Sequence, residues 1–473
     1  MKNSQIEVEQ VNDKPYNMAG ISEAVTIEVD KVNDKPYNMA GISEAEQGEQ
    51  PRRNVVPPIK EMIDKLPPVN EKCSIFRVPK LLRNMNHRAY TPQVISIGPF
   101  HHHRKDLLAT EPYKLRRCLN FLSRLGNERD SLELLKKNTQ TWMKEIRNCY
   151  GEPINMNDKE FVNMMVVDGC FLVEFLIQHH NEHYPNTCFQ TPNNLDLTFH
   201  QRSIEIFTDL IMLENQVPFF LLERLFGLIP NITSLSFEEL IYISFQQELV
   251  VNCSLSNLSS TKPKHLVDFL SFFFVSKTSL ENNNNNSPIT PPSITELYEA
   301  GVTIKKAENF IHMMDIRFKN EILTIPPLVI DDLFEPTMRN LIAFEHFPLR
   351  NESNCIQYIA FMDDLISTEK DVNLLVKAGI IINNIGGSDK EVSKLFNNLC
   401  KFVETSSDDS LNNISNTLRE HCNRRWNKAK ASLKHNYFNT PWAIVSFFAA
   451  TFLIILTLSQ TIFSGMSVFP IIP

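Results

Sequence analysis

Glycine is scarce in this chain, with 13 among 473 residues. Little material is left for a glycine-rich phosphate loop, and neither a P-loop (G-x-x-x-x-G-K-[ST]) nor a nucleophile elbow (G-x-S-x-G) occurs. H-E-x-x-H, the helical spacing that puts two imidazoles on one zinc ion, is also missing. No two cysteines form a C-x-x-C pair. The nine (Cys73, Cys118, Cys149, Cys170, Cys188, Cys253, Cys355, Cys400 and Cys422) are odd in number and scattered, which suits free thiols in a reducing compartment better than a disulfide frame or a zinc site. Positive charge is not in excess either: a formal net charge of −8 argues against a nucleic-acid surface, where concentrated cations must neutralise phosphates. Residues 1–50 hold no apolar run of the length a secretory signal needs.

The longest apolar run stands at the other end. Trp442–Phe463, WAIVSFFAATFLIILTLSQTIF, contains no charged residue. At ~1.5 Å per helical residue it spans ~33 Å, enough to cross a hydrocarbon core of ~30 Å. Trp442, Ile444, Val445, Phe447, Phe448, Phe452, Leu453, Ile454, Ile455, Leu456, Leu458, Ile462 and Phe463 are the expected anchor, facing the lipid bilayer. Pro441 suits a first helical turn, where its missing N–H costs nothing. Before the span lie Arg419, Arg424, Arg425, Lys428, Lys430 and Lys434 against one acid, Glu420. The positive-inside bias then places the large N-terminal part in the cytosol, at the plasma membrane or endoplasmic reticulum. The same cations suit anionic lipid headgroups.

Composition divides the chain into three stretches: a tail over 1–70, a folded domain over 71–435 and an anchor over 436–473. Ile6–Ala24 recurs as Ile27–Ala45, changed only where Glu9 and Gln10 become Asp30 and Lys31. This unit is polar and without helical periodicity, so it reads as a duplicated, disordered segment, followed by a linker holding Pro51, Pro57, Pro58, Pro67 and Pro68. The chain's 42% hydrophobic content provides a core, and within the domain the patterning is mainly α-helical with a minor β-hairpin. Cys73–Lys80 and Tyr90–His103 read as two extended segments, Thr110–Cys149 as amphipathic helices and Phe161–Ile177 as a buried helix. Arg202–Phe226 reads as a helix ending near Asn215, a sharp joint, and a second helix from Pro218. His265–Val275 is a further core segment, and the asparagine run within 281–293 is a flexible loop. Ser293 with Glu296 and Ser388 with Glu391 form capping boxes, Phe310–Ile330 folds as the hairpin around Lys319 and Asn320, and helix resumes over Asp332–Glu345.

Several residues invite a chemical role. His101–His103 suggests a metal, yet adjacent residues on an extended or helical backbone point apart and no other His or Cys lies at ligand spacing nearby, so no metal is expected. Asp168 and Glu174 are six residues apart, a rotation of ~600° that puts them on different faces of one helix; each then needs a basic partner from elsewhere. Glu214, Asn215 and Gln216, lying between two apolar runs, are expected to cap helix ends and satisfy buried backbone groups. A phosphate at the glycine-preceded start of Ser388–Cys400 lacks basic support beyond Lys390. The sequons at Asn231, Asn252, Asn257, Asn351 and Asn413 stay bare in a cytosolic domain.

Taken in order, CSIFRVPKLLR, YTPQVISIGPFHH, MVVDGCFLVEFL, DLIMLENQVPFFLLERLF, IPPLVIDD with RNLIAFEH, and GSDKEVSKLFNNLC resemble the plant family called domain of unknown function 247. The resemblance runs from about Cys73 to the C-terminus and leaves out the N-terminal repeat. It implies a plant protein, mainly helical, with a single C-terminal transmembrane segment and no family-wide activity or catalytic residue. Some grass relatives resemble self-incompatibility determinants, a role that family membership alone does not transfer. His103–Arg104 stands where the family more usually has histidine followed by glycine.

The expectation is therefore a membrane-anchored, non-enzymatic interaction or signalling module with an unidentified protein partner, and with no cofactor and no nucleic acid. Two alternatives stay open. One is an enzyme whose first suspects are Asp168, Glu214 and His101–His103; the other is a recognition module with its domain outside the cytosol and its sequons occupied.

Overall fold

The computed structural model describes residues 73–184, 202–230, 235–249, 262–274, 289–347, 354–401, 403, 409–424 and 441–468. The tandem repeat, the asparagine run, the cations after Arg424 and all the sequons except Asn413 lie outside them. Every described residue belongs to one compact unit within 69–473.

That unit is mainly helical. After the short helix α1 (Lys80–Met85), α2 (Glu111–Leu125) carries Pro112 in its first turn and stops at Gly126 with φ +112°. Asn127 then caps α3 (Glu128–Arg147) by accepting the Arg129 N–H. Asn157 does the same for α4 (Asp158–His183) through the Glu160 N–H at 2.9 Å. α4 extends beyond the expected Phe161–Ile177 at both ends, because its cap lies upstream of the apolar run and its last turns are polar but still buried. It is the central helix, buried on nearly every face from Phe161 to Asn181, with α2 and α3 packed against it. α2 and α4 run in the same direction, since Lys114 meets Asp168 and Arg124 meets Glu174.

Around this centre lie α5 (Ser203–Leu210), α6 (Phe219–Phe226), α7 (Phe237–Leu249) and α8 (Leu266–Ser271), the last continuing as a 3-10 turn through Phe272–Phe274. α9 (Ile294–Glu299) opens on the expected Ser293–Glu296 capping box. α10 (Phe334–Glu345), α11 (Asn354–Leu365), α12 (Glu369–Lys377), α13 (Asp389–Leu399) and α14 (Asp409–Asn423) follow. At α13 the Ser388 side chain makes no cap; the Ser388 carbonyl takes the Glu391 N–H instead. The reciprocal arrangement sits one helix earlier, where Asp371 accepts both the N–H and the hydroxyl of Thr368.

The strands are few and short. β2 (Arg317–Lys319) and β3 (Ile322–Ile325) form the expected hairpin, its turn at Asn320 and Glu321 with φ of +52° and +62°. β1 (Thr303–Lys306) adds in parallel to β3, and β4 (Leu328–Ile330) pairs in parallel with the distant β5 (Ile381–Asn383). The segments around Cys73 and Tyr90 are not strands. Ile75 makes a single bridge to Tyr150, and the backbone N–H groups of Gln93–Ile97 are taken up mainly by side chains instead of a ladder.

α15 (Pro441–Val468) is the last element. Within it Ile444–Gly465 is long and apolar enough to cross a membrane, and none of that window is buried against the described residues.

Candidate functional site

Polar chemistry concentrates where the irregular stretch 91–104 crosses the joint between α5 and α6. The stretch has β-branched residues and two prolines but pairs with no strand, so its backbone donors need other acceptors. Asp209 supplies them: its two oxygens take the N–H groups of Gln93, Val94 and Ile95 at 2.9, 2.7 and 2.8 Å. Burial pushes the Asp209 carboxyl up to about 6, opposed by those three donors. Asn215 Oδ1 accepts the Ile97 N–H at 2.7 Å, and its Nδ2 donates to the carbonyls of Ile95 and Asp209. Gln216 Nε2 donates to the carbonyls of Leu210 and Met212, while its Oε1 accepts the Leu266 N–H. These amides explain why α5 stops at Leu210 and not near Asn215: the joint's side chains take carbonyls that further helix would have used. The bonding role expected of Asn215 and Gln216 is thus what the geometry displays.

Glu214 is the charged member of the joint. It accepts the Val78 N–H at 2.6 Å and pairs with Arg83 and, at 3.5 Å, with Arg77. His101 Nε2 lies 3.4 Å from its second oxygen without hydrogen-bonding geometry. Burial alone would raise this carboxyl, but the adjoining His101, Arg83 and Val78 N–H together hold it below its usual value. Glu214 therefore ties the chain around α1 to the joint.

Asp168 and Glu174 of α4 do not meet. Asp168 Oδ1 lies 2.7 Å from Lys114 Nζ, and Oδ2 accepts the Gly98 N–H at 2.9 Å. Lys114, fully buried, spends its three donors on Asp168, Glu111 and the Ser96 carbonyl. Burial raises the Asp168 carboxyl against the pull of Lys114; on Lys114 burial is outweighed by the two carboxylates, and its ammonium is raised. Glu174 holds Arg124 through Nε at 2.7 Å and Nη2 at 3.1 Å. Both partners come from α2, and nothing in the spacing of the sequence singles out Lys114 or Arg124 for this purpose.

The histidine triplet divides. His101 is buried beside Glu214, whereas His102 is half-buried and His103 is exposed. The backbone here is neither extended nor helical: the His101 carbonyl accepts the Arg104 N–H at 3.1 Å, closing a turn that brings the His102 and His103 rings to 5.1 Å. Glu160, on the first turn of α4, joins them, with a possible ligand atom of each residue within 4.8 Å of those of the others. The premise that these neighbours point apart is corrected by this turn, and Glu160 was not visible as a third group because 57 residues (160 − 103) separate it from His103. Arg104, which departs from the usual family pattern, packs on Asp106 and donates to the Pro92 carbonyl at 2.8 Å.

On α15, Trp442, Ile444, Val445, Phe448, Phe452, Leu453, Ile454, Ile455, Leu456, Leu458, Ile462 and Phe463 are all exposed, and Phe447 is half-covered beside Phe448. Its Thr and Ser hydroxyls, such as Thr451, Thr457 and Ser459, bond back to carbonyls four residues earlier. That arrangement conceals them in an apolar surrounding.

Residues 75–456 match the model of the DUF247 family, described as plant protein of unknown function. A UPF0481 protein of Arabidopsis thaliana is 31% identical over 418 residues, covering 83% of this chain and 86% of the relative. A second UPF0481 protein of the same plant is 23% identical over 486 residues, covering 82% and 89%. No solved structure matches the chain.

Proposed function

The chain belongs to the DUF247 family of plant proteins, and from that premise we propose that it is a membrane-anchored, non-enzymatic interaction module. A helical domain on the cytosolic side presents its surface to a protein partner, and α15 holds it at the bilayer. The observation that carries this reading is the bare apolar surface of Ile444–Gly465, none of which is buried against the described residues. Exposed to water, side chains such as Phe452, Leu453 and Phe463 would each forfeit roughly 1.5–3 kcal/mol of burial, whereas a bilayer accommodates them at full helical length.

Two observations support the non-enzymatic part. Asp168 and Glu214, the carboxylates most suggestive of catalysis, are engaged by backbone N–H groups and by cations that hold the fold together. The thiols of Cys73 and Cys400 are pushed up by burial to about 11 and about 12, away from the range of a reactive thiolate. Free thiols and an excess of acid over base also suit a cytosolic domain. Alkaline carbonate extraction of plant membranes expressing the full chain tests the anchoring. Retention in the pellet agrees with a spanning helix, and release into the supernatant contradicts it.

A further inference from the structure

We propose that His102, His103 and Glu160 bind one divalent transition-metal cation of the zinc class, clipping the 99–104 turn to the start of α4. The three side chains converge from two separate segments, with their ligand atoms within 4.8 Å of one another. A tetrahedral zinc with ligands at ~2.0–2.1 Å holds its donor atoms ~3.3 Å apart, so side-chain rotations of about 1 Å complete the set. Those rotations are available: the His103 side chain is 68% exposed and its Nε2 already lies 4.0 Å from Glu160 Oε1.

The donors are also prepared for a cation. The His102 Nδ1 atom is buried without a hydrogen-bond partner, an arrangement that costs free energy unless something occupies it. Glu160 Oε2 accepts from Asn157 Nδ2 at 3.2 Å, which orients the carboxylate and leaves Oε1 toward His103. The group opens on a cavity of about 390 Å³ lined by His102, Glu111, Asn157, Glu160 and Asp168 among others. Such a cavity admits the ion and leaves water to complete its coordination. Two imidazoles and one carboxylate favour zinc and its neighbours over calcium or magnesium, whose shells are built from oxygen.

The test is titration of the full-length, detergent-solubilised chain with ZnCl₂, followed by calorimetry, together with CoCl₂ followed by visible absorption. The wild type is expected to bind one Zn²⁺ per chain through this group, to show Co²⁺ ligand-field bands, and to gain thermal stability as Zn²⁺ is added. His102→Ala, His103→Ala and Glu160→Gln are each expected to weaken that binding at least about tenfold and to abolish the thermal gain, while His346→Gln, at an exposed histidine outside the group, changes neither. His103 and Glu160 have little packing to lose, so their variants keep the test decisive if His102→Ala folds poorly. No Zn²⁺ binding by the wild type, or binding that all three variants retain, overturns the proposal.

Discussion

Lys114 Nζ lies 2.7 Å from Asp168 Oδ1, and both side chains are essentially sealed from solvent. The pair joins α2 to α4, and the second Asp168 oxygen carries the contact on to Gly98. Lys114→Met removes the cation and leaves a buried carboxylate without it. The expected loss is about 3–5 kcal/mol, read as a lower urea midpoint for the detergent-solubilised chain. Adding Asp168→Leu to Lys114→Met is expected to recover part of that loss, since the stranded charge goes with it.

Gly98 has φ +72°, and a Cβ there would collide with the Gln216 carbonyl oxygen, which also accepts the Tyr150 hydroxyl at 3.0 Å. Gly98→Ala is therefore expected to destabilise by about 3 kcal/mol or more, through left-handed strain combined with backbone overlap. Gly379→Ala offers the comparison: its φ is +69° but open space surrounds it, so only the strain of about 1 kcal/mol is expected. Thermal unfolding of the two variants separates the contributions.

Much of this was legible in the sequence. The apolar run of α15, the Ser293–Glu296 cap, the β2–β3 hairpin and the bonding role of Asn215 and Gln216 all follow from local pattern. What was hidden is long-range. β1 has a burial pattern without alternation and β5 lies some fifty residues beyond β4, so neither parallel pairing leaves a periodic signature. Lys114 reads as one more charge on an amphipathic helix, and Asp209 as one more acid, until the fold brings each to its partners. The backbone of the histidine triplet was hidden for a different reason: a tight turn, closed by the bond from Arg104 N–H to the His101 carbonyl, reorients neighbouring side chains in a way that helical or extended geometry does not.

Asp363 and Asp364 sit side by side on α11, and burial with the neighbouring charge pushes the Asp363 carboxyl up to about 6. The folded state therefore binds this proton more tightly than the unfolded one, so stability falls as pH rises from about 4 through about 6. Asp363→Asn is expected to raise stability at pH 7 by on the order of 1 kcal/mol after allowance for solvent screening, and to have little effect near pH 4. Urea unfolding of wild type and variant across that range provides the check.

Two arginines placed within the span, Leu453→Arg with Leu456→Arg, are expected to cost about 5–7 kcal/mol of insertion. The variant should shift from the membrane pellet toward the soluble fraction. His346→Gln, remote in sequence from the span, should stay in the pellet.

The side of the membrane on which the helical domain lies is decided by its topology. The full chain, tagged at its N-terminus and expressed in plant cells, is recovered in sealed microsomes and treated with protease, with glycosidase digestion in parallel. The expected result is that protease removes the N-terminal domain without detergent and that glycosidase leaves the mobility unchanged, with the exposed Asn413 of α14 carrying no glycan. A protected domain whose mobility shifts on deglycosylation would contradict the cytosolic assignment and place recognition on the opposite side of the membrane.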